Sequence, residues 1–72
     1  MTPEDLGRTV EEARKAIGLT QAELALASGT GTRFISDLEN GKATCQIGKT
    51  LTVLKTLGLR LTLSPRHDPG GR

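Results

Sequence analysis

The residue types most often found as catalytic nucleophiles, general bases and zinc ligands are scarce in this 72-residue sequence, which has one cysteine, Cys45, and one histidine, His67. A single thiol cannot form an internal disulfide, and the four ligands of a structural zinc site are lacking. No nucleophile is spaced from a general base in a way that would support catalysis. We therefore predict a protein that is not an enzyme and uses no metal, cofactor or small-molecule substrate, with Cys45 as a structural or incidental thiol.

The charged side chains are distributed unevenly along the chain. Residues 1–30 carry five acidic and three basic side chains, whereas residues 31–72 carry three acidic and seven basic ones. An acidic partner is therefore expected to face the second half. There is no basic-plus-apolar signal segment at the N-terminus, and no apolar run approaches the roughly 20 residues of a membrane span. We expect a cytoplasmic protein without a membrane partner.

Four stretches have the apolar spacing and the end signals of α-helices. They are expected from Thr2 or Pro3 to Ile17, from Gln21 to Ser28, from Thr32 to Glu39, and from Gln46 to Leu57. Thr20 and Glu23 are spaced as a capping box for the second helix, and glycines follow most of the helix ends. The side chains predicted to face the core include Leu6, Val10, Ala13, Ile17, Phe34, Ile35, Leu38, Ile47, Leu51, Leu54 and Leu57.

After the fourth helix, the apolar residues recur at every second position instead of at helical spacing. Leu59, Leu61 and Leu63 alternate with polar residues, which is typical of a half-buried β-strand over residues 59–64. A single strand has no sheet to join here, so its backbone groups need a partner, most simply the same segment of a second chain. The alternative is a tail that lies on its own subunit. Residues 65–72 are rich in Gly and polar residues and are expected to form a disordered tail.

The second and third predicted helices have the spacing of two helices that cross steeply through a short turn. Such a pair needs a small residue where the backbones approach, and Ala25 supplies it. The turn needs a residue that tolerates left-handed geometry, which Gly29 does. Ile35 and Leu38 would lock the third helix onto the second, and Leu24 would anchor the second in the core. The sequence thus predicts an all-α helix-turn-helix domain over residues 1–58.

Two pieces of the sequence carry a resemblance to a known family. The segments TQAELA at residues 20–25 and ISDLENGK at residues 35–42, with Gly29 between them, resemble phage repressors and Cro proteins of the Cro/C1-type helix-turn-helix (XRE) family. The resemblance covers roughly residues 6–58. The strand-like segment that follows is similar to HipB-type antitoxins, in which it pairs between subunits. Phage-type repressors usually continue into a fifth helix at this point.

The resemblance implies a sequence-specific repressor that binds double-stranded operator DNA as a homodimer. Its HipB-like part implies the autoregulating antitoxin of a toxin–antitoxin operon, with a HipA-like kinase toxin as partner. One alternative is a stand-alone repressor of phage or housekeeping origin. Another is a protein-interaction module that has kept the fold, but Arg33 and Lys42 argue against it because an abandoned DNA face has no need for them.

The resemblance also assigns roles to individual residues on the groove-facing side. The predicted base contacts are Thr32, Arg33, Ser36 and Asp37, and the predicted contacts to the DNA backbone are Thr20, Gln21, Asn40 and Lys42. Asp37 stands where many relatives have a neutral or basic residue, so it either accepts from cytosine N4 or only orients Arg33. Gly31 replaces the usual Ser or Thr cap, which predicts a looser helix start. Glu39 is expected to pair with Arg14.

Overall fold

The computed structural model describes residues 1–65 of the chain and shows the predicted all-α architecture there. Its helices are α1 (Pro3–Ala16), α2 (Gln21–Ser28), α3 (Thr32–Glu39) and α4 (Ile47–Thr56). The bounds of α2 and α3 are those predicted. α1 and α4 are slightly shorter than predicted because Ile17, Gln46 and Leu57 are cap residues outside the helices. In the described part of the chain, no helix is long and apolar enough to span a membrane.

Two capping boxes start the first two helices. The predicted one is present, with the Thr20 hydroxyl accepting from the Glu23 N–H at 3.0 Å and the Glu23 carboxylate accepting from the Thr20 N–H at 2.8 Å. Thr2 and Asp5 form the same reciprocal pair at the start of α1, although Asp is shorter than the usual Glu at this position. Each box satisfies N–H groups that a helix start leaves without intrahelical partners.

The core lies where α3 packs against both α1 and α2, with α4 packed against α2. Its fully or nearly fully buried apolar side chains are Val10, Leu24, Ala25, Ile35, Leu38, Val53 and Leu54. Gly29 has the predicted left-handed backbone, with φ at +70°, and Ala25 is buried in the core as the predicted small residue of α2. All five residues proposed to hold the helix-turn-helix together therefore take their predicted places.

Three residues that were predicted to lie in the core are exposed instead. Ile17 is 56% exposed, Ile47 66% and Leu51 45%. Ile17 follows the last turn of α1, where it caps the helix and has left the apolar stripe. In α4 the buried side is rotated toward Thr50 and Val53, and Thr50 tolerates burial because its hydroxyl donates to the carbonyl one turn back at 2.9 Å.

The C-terminal segment forms no strand in the single chain. Leu59 packs against the core, whereas Leu61 is 38% exposed and Leu63 is 85% exposed. A strand requires a second strand for its backbone hydrogen bonds, and residues 1–65 provide none. Its pairing between two copies therefore remains a prediction. Of the expected disordered tail, everything after Pro65, including His67, lies outside the described residues.

Candidate nucleic-acid interface

One side of α3 faces away from the protein and carries the four predicted base contacts. These side chains are Thr32, Arg33, Ser36 and Asp37, with the first two exposed and the last two half-buried. Ile35 and Leu38 occupy the opposite side and are buried. The Arg33 side chain is 89% exposed, so it can reach a partner outside the chain. The structure brings the four residues onto one surface, while their contacts with bases remain predictions.

Asp37 is the charge partner of two basic residues at this surface. Its Oδ1 lies 3.6 Å from the Arg33 Nε, one turn back along α3, and its Oδ2 lies 3.5 Å from the Lys42 Nζ. Exposed ion pairs of this kind contribute only about 0–1 kcal/mol to stability. They therefore orient the Arg33 and Lys42 side chains but leave both free to contact another partner. Of the two predicted roles of Asp37, the geometry favours the one that orients Arg33.

A buried polar network lies beneath this surface and joins three helices. The predicted ion pair is present and is bidentate, with Arg14 donating to Glu39 through its Nε at 2.6 Å and its NH2 group at 3.0 Å. A third nitrogen of Arg14 donates to the Leu19 carbonyl at 2.8 Å. The side-chain amide of Gln21 donates to the same Glu39 carboxylate at 3.0 Å. The end of α3 is thus tied to α1 and to the start of α2.

The network keeps both of its charges. Burial by itself raises the pKa of Glu39, but the hydrogen bonds from Arg14 and Gln21 and the charge of Arg14 outweigh it and hold that pKa below its usual value. The hydrogen bond to Glu39 raises the pKa of Arg14 against the effect of burial. Because the side chains of Arg14 and Glu39 are only 9% and 3% exposed, each ion depends on the other for its solvation.

The predicted backbone contacts at the start of α2 already have partners within the chain. The Thr20 hydroxyl accepts the capping bond from Glu23, and the Gln21 amide is held by Glu39. The capping box leaves some N–H groups of the first turn of α2 without a partner. These groups point outward from the N-terminus of the helix, a position that favours an anion. The family resemblance predicted Gln21 as a phosphate contact, but nothing in the sequence indicated that Glu39 fixes its orientation.

The other predicted backbone contacts lie just after α3. Asn40 caps the helix and is exposed, and the Lys42 side chain is 53% exposed. Gly41 lies between them with φ at +81°, a left-handed conformation that side chains with a Cβ rarely adopt. A Cβ on Gly41 would also lie 2.9 Å from the Glu4 side chain, so α1 packs directly against this turn.

Gly7 is a structural residue whose role was not predicted from the sequence. A Cβ at this position of α1 would lie 2.7 Å from the carbonyl oxygen of Glu39 and closer still to that of Leu38. α1 therefore approaches the C-terminal end of α3 more closely at this position than a residue with a Cβ would allow. The signal available in the sequence was a glycine inside an otherwise helical stretch, which marks either a defect or a packing contact.

Comparison with known proteins agrees with this geometry. The helix-turn-helix family model matches residues 10–63. The HTH-type transcriptional regulator y4mF of Sinorhizobium fredii (strain NBRC 101917 / NGR234) is 53% identical over 62 residues, which cover 86% of this chain and 82% of that protein.

Three solved structures share the fold over most of their length. A HipA–HipB–O2–O3 complex and a HipB–O4 20-mer complex each match with a TM-score of 0.82 and 28% identity over 93% of this chain and 94% of theirs. The restriction-modification controller protein C.AhdI from Aeromonas hydrophila matches with a TM-score of 0.71 and 26% identity, over 81% of this chain and 84% of that one. The chain therefore belongs to the Cro/C1-type helix-turn-helix family and is a transcriptional regulator of that family.

Proposed function

We propose that this regulator is a repressor that reads a specific operator through α3 and binds it as a homodimer. The observation that carries the proposal is the exposed face of α3, on which Arg33 extends into solvent with Thr32 and Ser36 beside it. An α-helix fits the major groove, where each base pair presents a distinct pattern of donors and acceptors. Helix-turn-helix proteins place the second helix of the motif there, with its N-terminal residues nearest the bases.

The polar residues of this face have distinct roles in the proposal. Arg33 reads guanine, because a guanidinium can donate to O6 and N7 together. Thr32 and Ser36 contact neighbouring base edges. Asp37 orients Arg33 and Lys42 through its two ion pairs and is the weakest candidate for a direct base contact.

Contacts to phosphate would come from both ends of the motif. Thr20 and Gln21 place the start of α2 against one stretch of backbone, where the free N–H groups of the first turn favour an anion. Asn40 and Lys42 contact backbone after the end of α3. Such contacts set the position of the protein on DNA and carry no sequence information directly.

The dimer is proposed to form through residues 59–64, separate from the DNA-binding domain of residues 1–58. This segment and α4 border an open groove of about 470 Å³, whose apolar lining includes Leu51, Leu54, Leu59 and Leu61. An antiparallel pair of these segments would satisfy their backbone groups and cover the exposed Leu61 and Leu63. A two-fold axis would place the two α3 helices roughly 34 Å apart, one turn of DNA.

We further propose that the repressor is the autoregulating antitoxin of a HipA/HipB-like operon, with a HipA-like kinase toxin as its protein partner. The support is the similarity to HipB, which reaches 30% identity over 93% of this chain, and which includes the segment after α4. Such a protein works where the chromosome is, in the cytoplasm. A stand-alone phage-type repressor is the alternative, since the y4mF relative is named only as a transcriptional regulator.

DNA reading is tested by comparing Arg33→Ala with Lys42→Ala. We expect Arg33→Ala to weaken binding to an operator selected from a random pool by about 1–3 kcal/mol and to relax the preference at one base pair. Lys42→Ala should weaken binding to selected and random duplexes alike and lower the salt slope by about one unit per protomer. Equal losses on both duplexes for both variants would show that Arg33 is not a reader.

The antitoxin role is tested by co-expression with the product of the neighbouring gene. The expected result is a complex that copurifies and a loss of that product's toxicity. If the two proteins do not copurify and toxicity is unchanged, the stand-alone repressor is the correct description. Absence of salt-dependent binding to any duplex would instead favour a protein-interaction module.

A further inference from the structure

Lys49 lies beside α3 although it belongs to α4. Its Nζ is 5.8 Å from the centre of the Phe34 ring, within the range of a cation–π contact. Phe34 is in the first turn of α3 and Lys49 in the first turn of α4. The N-terminal residues of a recognition helix are those that lie nearest the bases. The ammonium therefore lies beside the end of α3 that would enter the groove.

Phe34 marks one particular flank of α3. It is three residues from Asp37, so the two are neighbours on the helix surface, and Asp37 is the residue that contacts Lys42. Lys42 and Lys49 thus lie along the same flank. Gln21 contacts Glu39, which lies toward the opposite flank. The polar groups available for phosphate therefore border the exposed face of α3 on both sides.

We propose that Lys49 is a phosphate ligand and that it forms, with Lys42, a two-lysine site for one DNA strand while the start of α2 contacts the other. A helix in the major groove has a sugar–phosphate backbone along each side, which matches these two flanks. This inference rests on the proposed DNA binding and adds to it a contact outside the helix-turn-helix motif.

The surroundings of Lys49 suit a phosphate. Within residues 1–65 its ammonium takes part in no ion pair with a carboxylate. The first turn of α4 contains no acidic residue, and no side chain caps its N–H groups. A lysine ammonium has three N–H donors, so contact with one ring face leaves others for an oxygen. The simpler reading is that Lys49 only shields the apolar ring with its stem.

The test measures binding to a mixed-sequence duplex as a function of salt concentration. Lys49→Gln removes the charge but keeps part of the stem over Phe34, and it should reduce the slope of log K against log salt by about 0.9 per protomer. Lys49→Arg should keep the slope, because a guanidinium also binds phosphate and stacks on a ring. Lys55→Gln is the matched control: it removes the same charge from the last turn of the same helix and should leave the slope unchanged.

The outcomes separate this inference from the proposed function. If the unaltered protein shows no salt-dependent binding to duplex, both the proposed DNA binding and the Lys49 contact are wrong. If it binds but Lys49→Gln leaves the slope unchanged, Lys49 only covers Phe34, and the phosphate assignment fails alone. A reduction by Lys55→Gln as large as that by Lys49→Gln would indicate an effect of net charge and would also overturn the assignment. Sedimentation of each variant confirms that all are compared in the same oligomeric state.

Discussion

The carboxylate of Glu39 makes the stability of the fold depend on pH. Its pKa in the folded chain is below the ordinary value of 4.5, because hydrogen bonds from Arg14 and Gln21 outweigh the effect of burial. The unfolded chain therefore takes up this proton first as the pH falls, and protonation favours unfolding. The stabilisation is complete above the ordinary value and is lost as the pH falls toward the folded-state pKa. We predict that the free energy of unfolding in urea decreases as the pH is lowered below 4.5.

Glu39→Gln tests the same group directly. The substitution leaves the Arg14 guanidinium buried without an anion, so we expect the free energy of unfolding at neutral pH to fall by about 3 kcal/mol. It should also remove part of the acid dependence. Glu12→Gln is the control, since Glu12 is an exposed carboxylate on α1 that takes part in no ion pair among the described residues. An acid dependence of Glu39→Gln identical to that of the unaltered protein would exclude Glu39 as the group responsible.

The contact between α1 and α3 depends on a residue with no side chain. We predict that Gly7→Ala lowers the free energy of unfolding by about 1–3 kcal/mol, because its methyl group would meet the carbonyl oxygens at the end of α3. Helix propensity alone predicts the opposite sign, a gain of up to about 1 kcal/mol. Urea denaturation measures the net effect, and operator binding shows whether α3 has moved.

A second helical glycine provides the comparison for Gly7→Ala. A Cβ at Gly48, in α4, would have no neighbouring atom within 4 Å. Gly48→Ala should therefore stabilise the protein by about 0.5–1 kcal/mol through the unfolded state. If both substitutions stabilised the chain equally, the close packing of α1 on α3 would be incorrect.

α4 presents apolar side chains on two sides. Val53 and Leu54 are buried against the rest of the domain, whereas Ile47 and Leu51 face outward. A helix that is apolar beyond its buried side usually has a second neighbour. Leu51 also lines the groove beside residues 59–61, so α4 and the C-terminal segment share one surface that includes several leucines.

Dimerisation should depend on the segment after α4. Each leucine of that segment would contribute on the order of 1.5–3 kcal/mol if a partner chain buried it fully. We predict that a chain ending at Gly58 is a monomer, or a much weaker dimer, in sedimentation and loses most of its operator affinity, because the two α3 helices are no longer coupled. A chain ending at Pro65 is the matched control and should behave like the full chain.

A fully dimeric truncated chain at low micromolar concentration would contradict pairing through residues 59–64. The exposed Ile47 and Leu51 of α4 would then be the better interface. Ile47→Asp distinguishes the two cases, since Ile47 is exposed and lies outside the groove beside residues 59–61, so that the substitution should break only a dimer that α4 forms alone. Loss of the dimer on truncation, with the full-length Ile47→Asp chain still dimeric, would support the strand pairing.

Local chemistry was sufficient to predict most of the fold. The bounds of α2 were predicted correctly because its end signals, the Thr20–Glu23 box and the left-handed Gly29, act within a few residues of chain. α3 likewise ends at the predicted Asn40–Gly41 turn, where Gly41 is left-handed. The helix-turn-helix core followed from the spacing of Leu24, Ile35 and Leu38, since two short helices crossing at a steep angle accept few arrangements of large and small side chains. The outward position of Arg33 followed from the same helical spacing, which places Ile35 and Leu38 on the inner side of α3.

Packing between distant parts of the chain accounts for the rest. Periodicity identifies an apolar stripe but not the element that covers it, and so it assigned Ile47 and Leu51 to the core and missed the burial of Thr50. The close approach at Gly7 and the contact of Lys49 with Phe34 likewise depend on helices brought together by the fold. In each case steric exclusion or burial determines where the side chain lies, and both arise only when segments distant in the sequence come into contact.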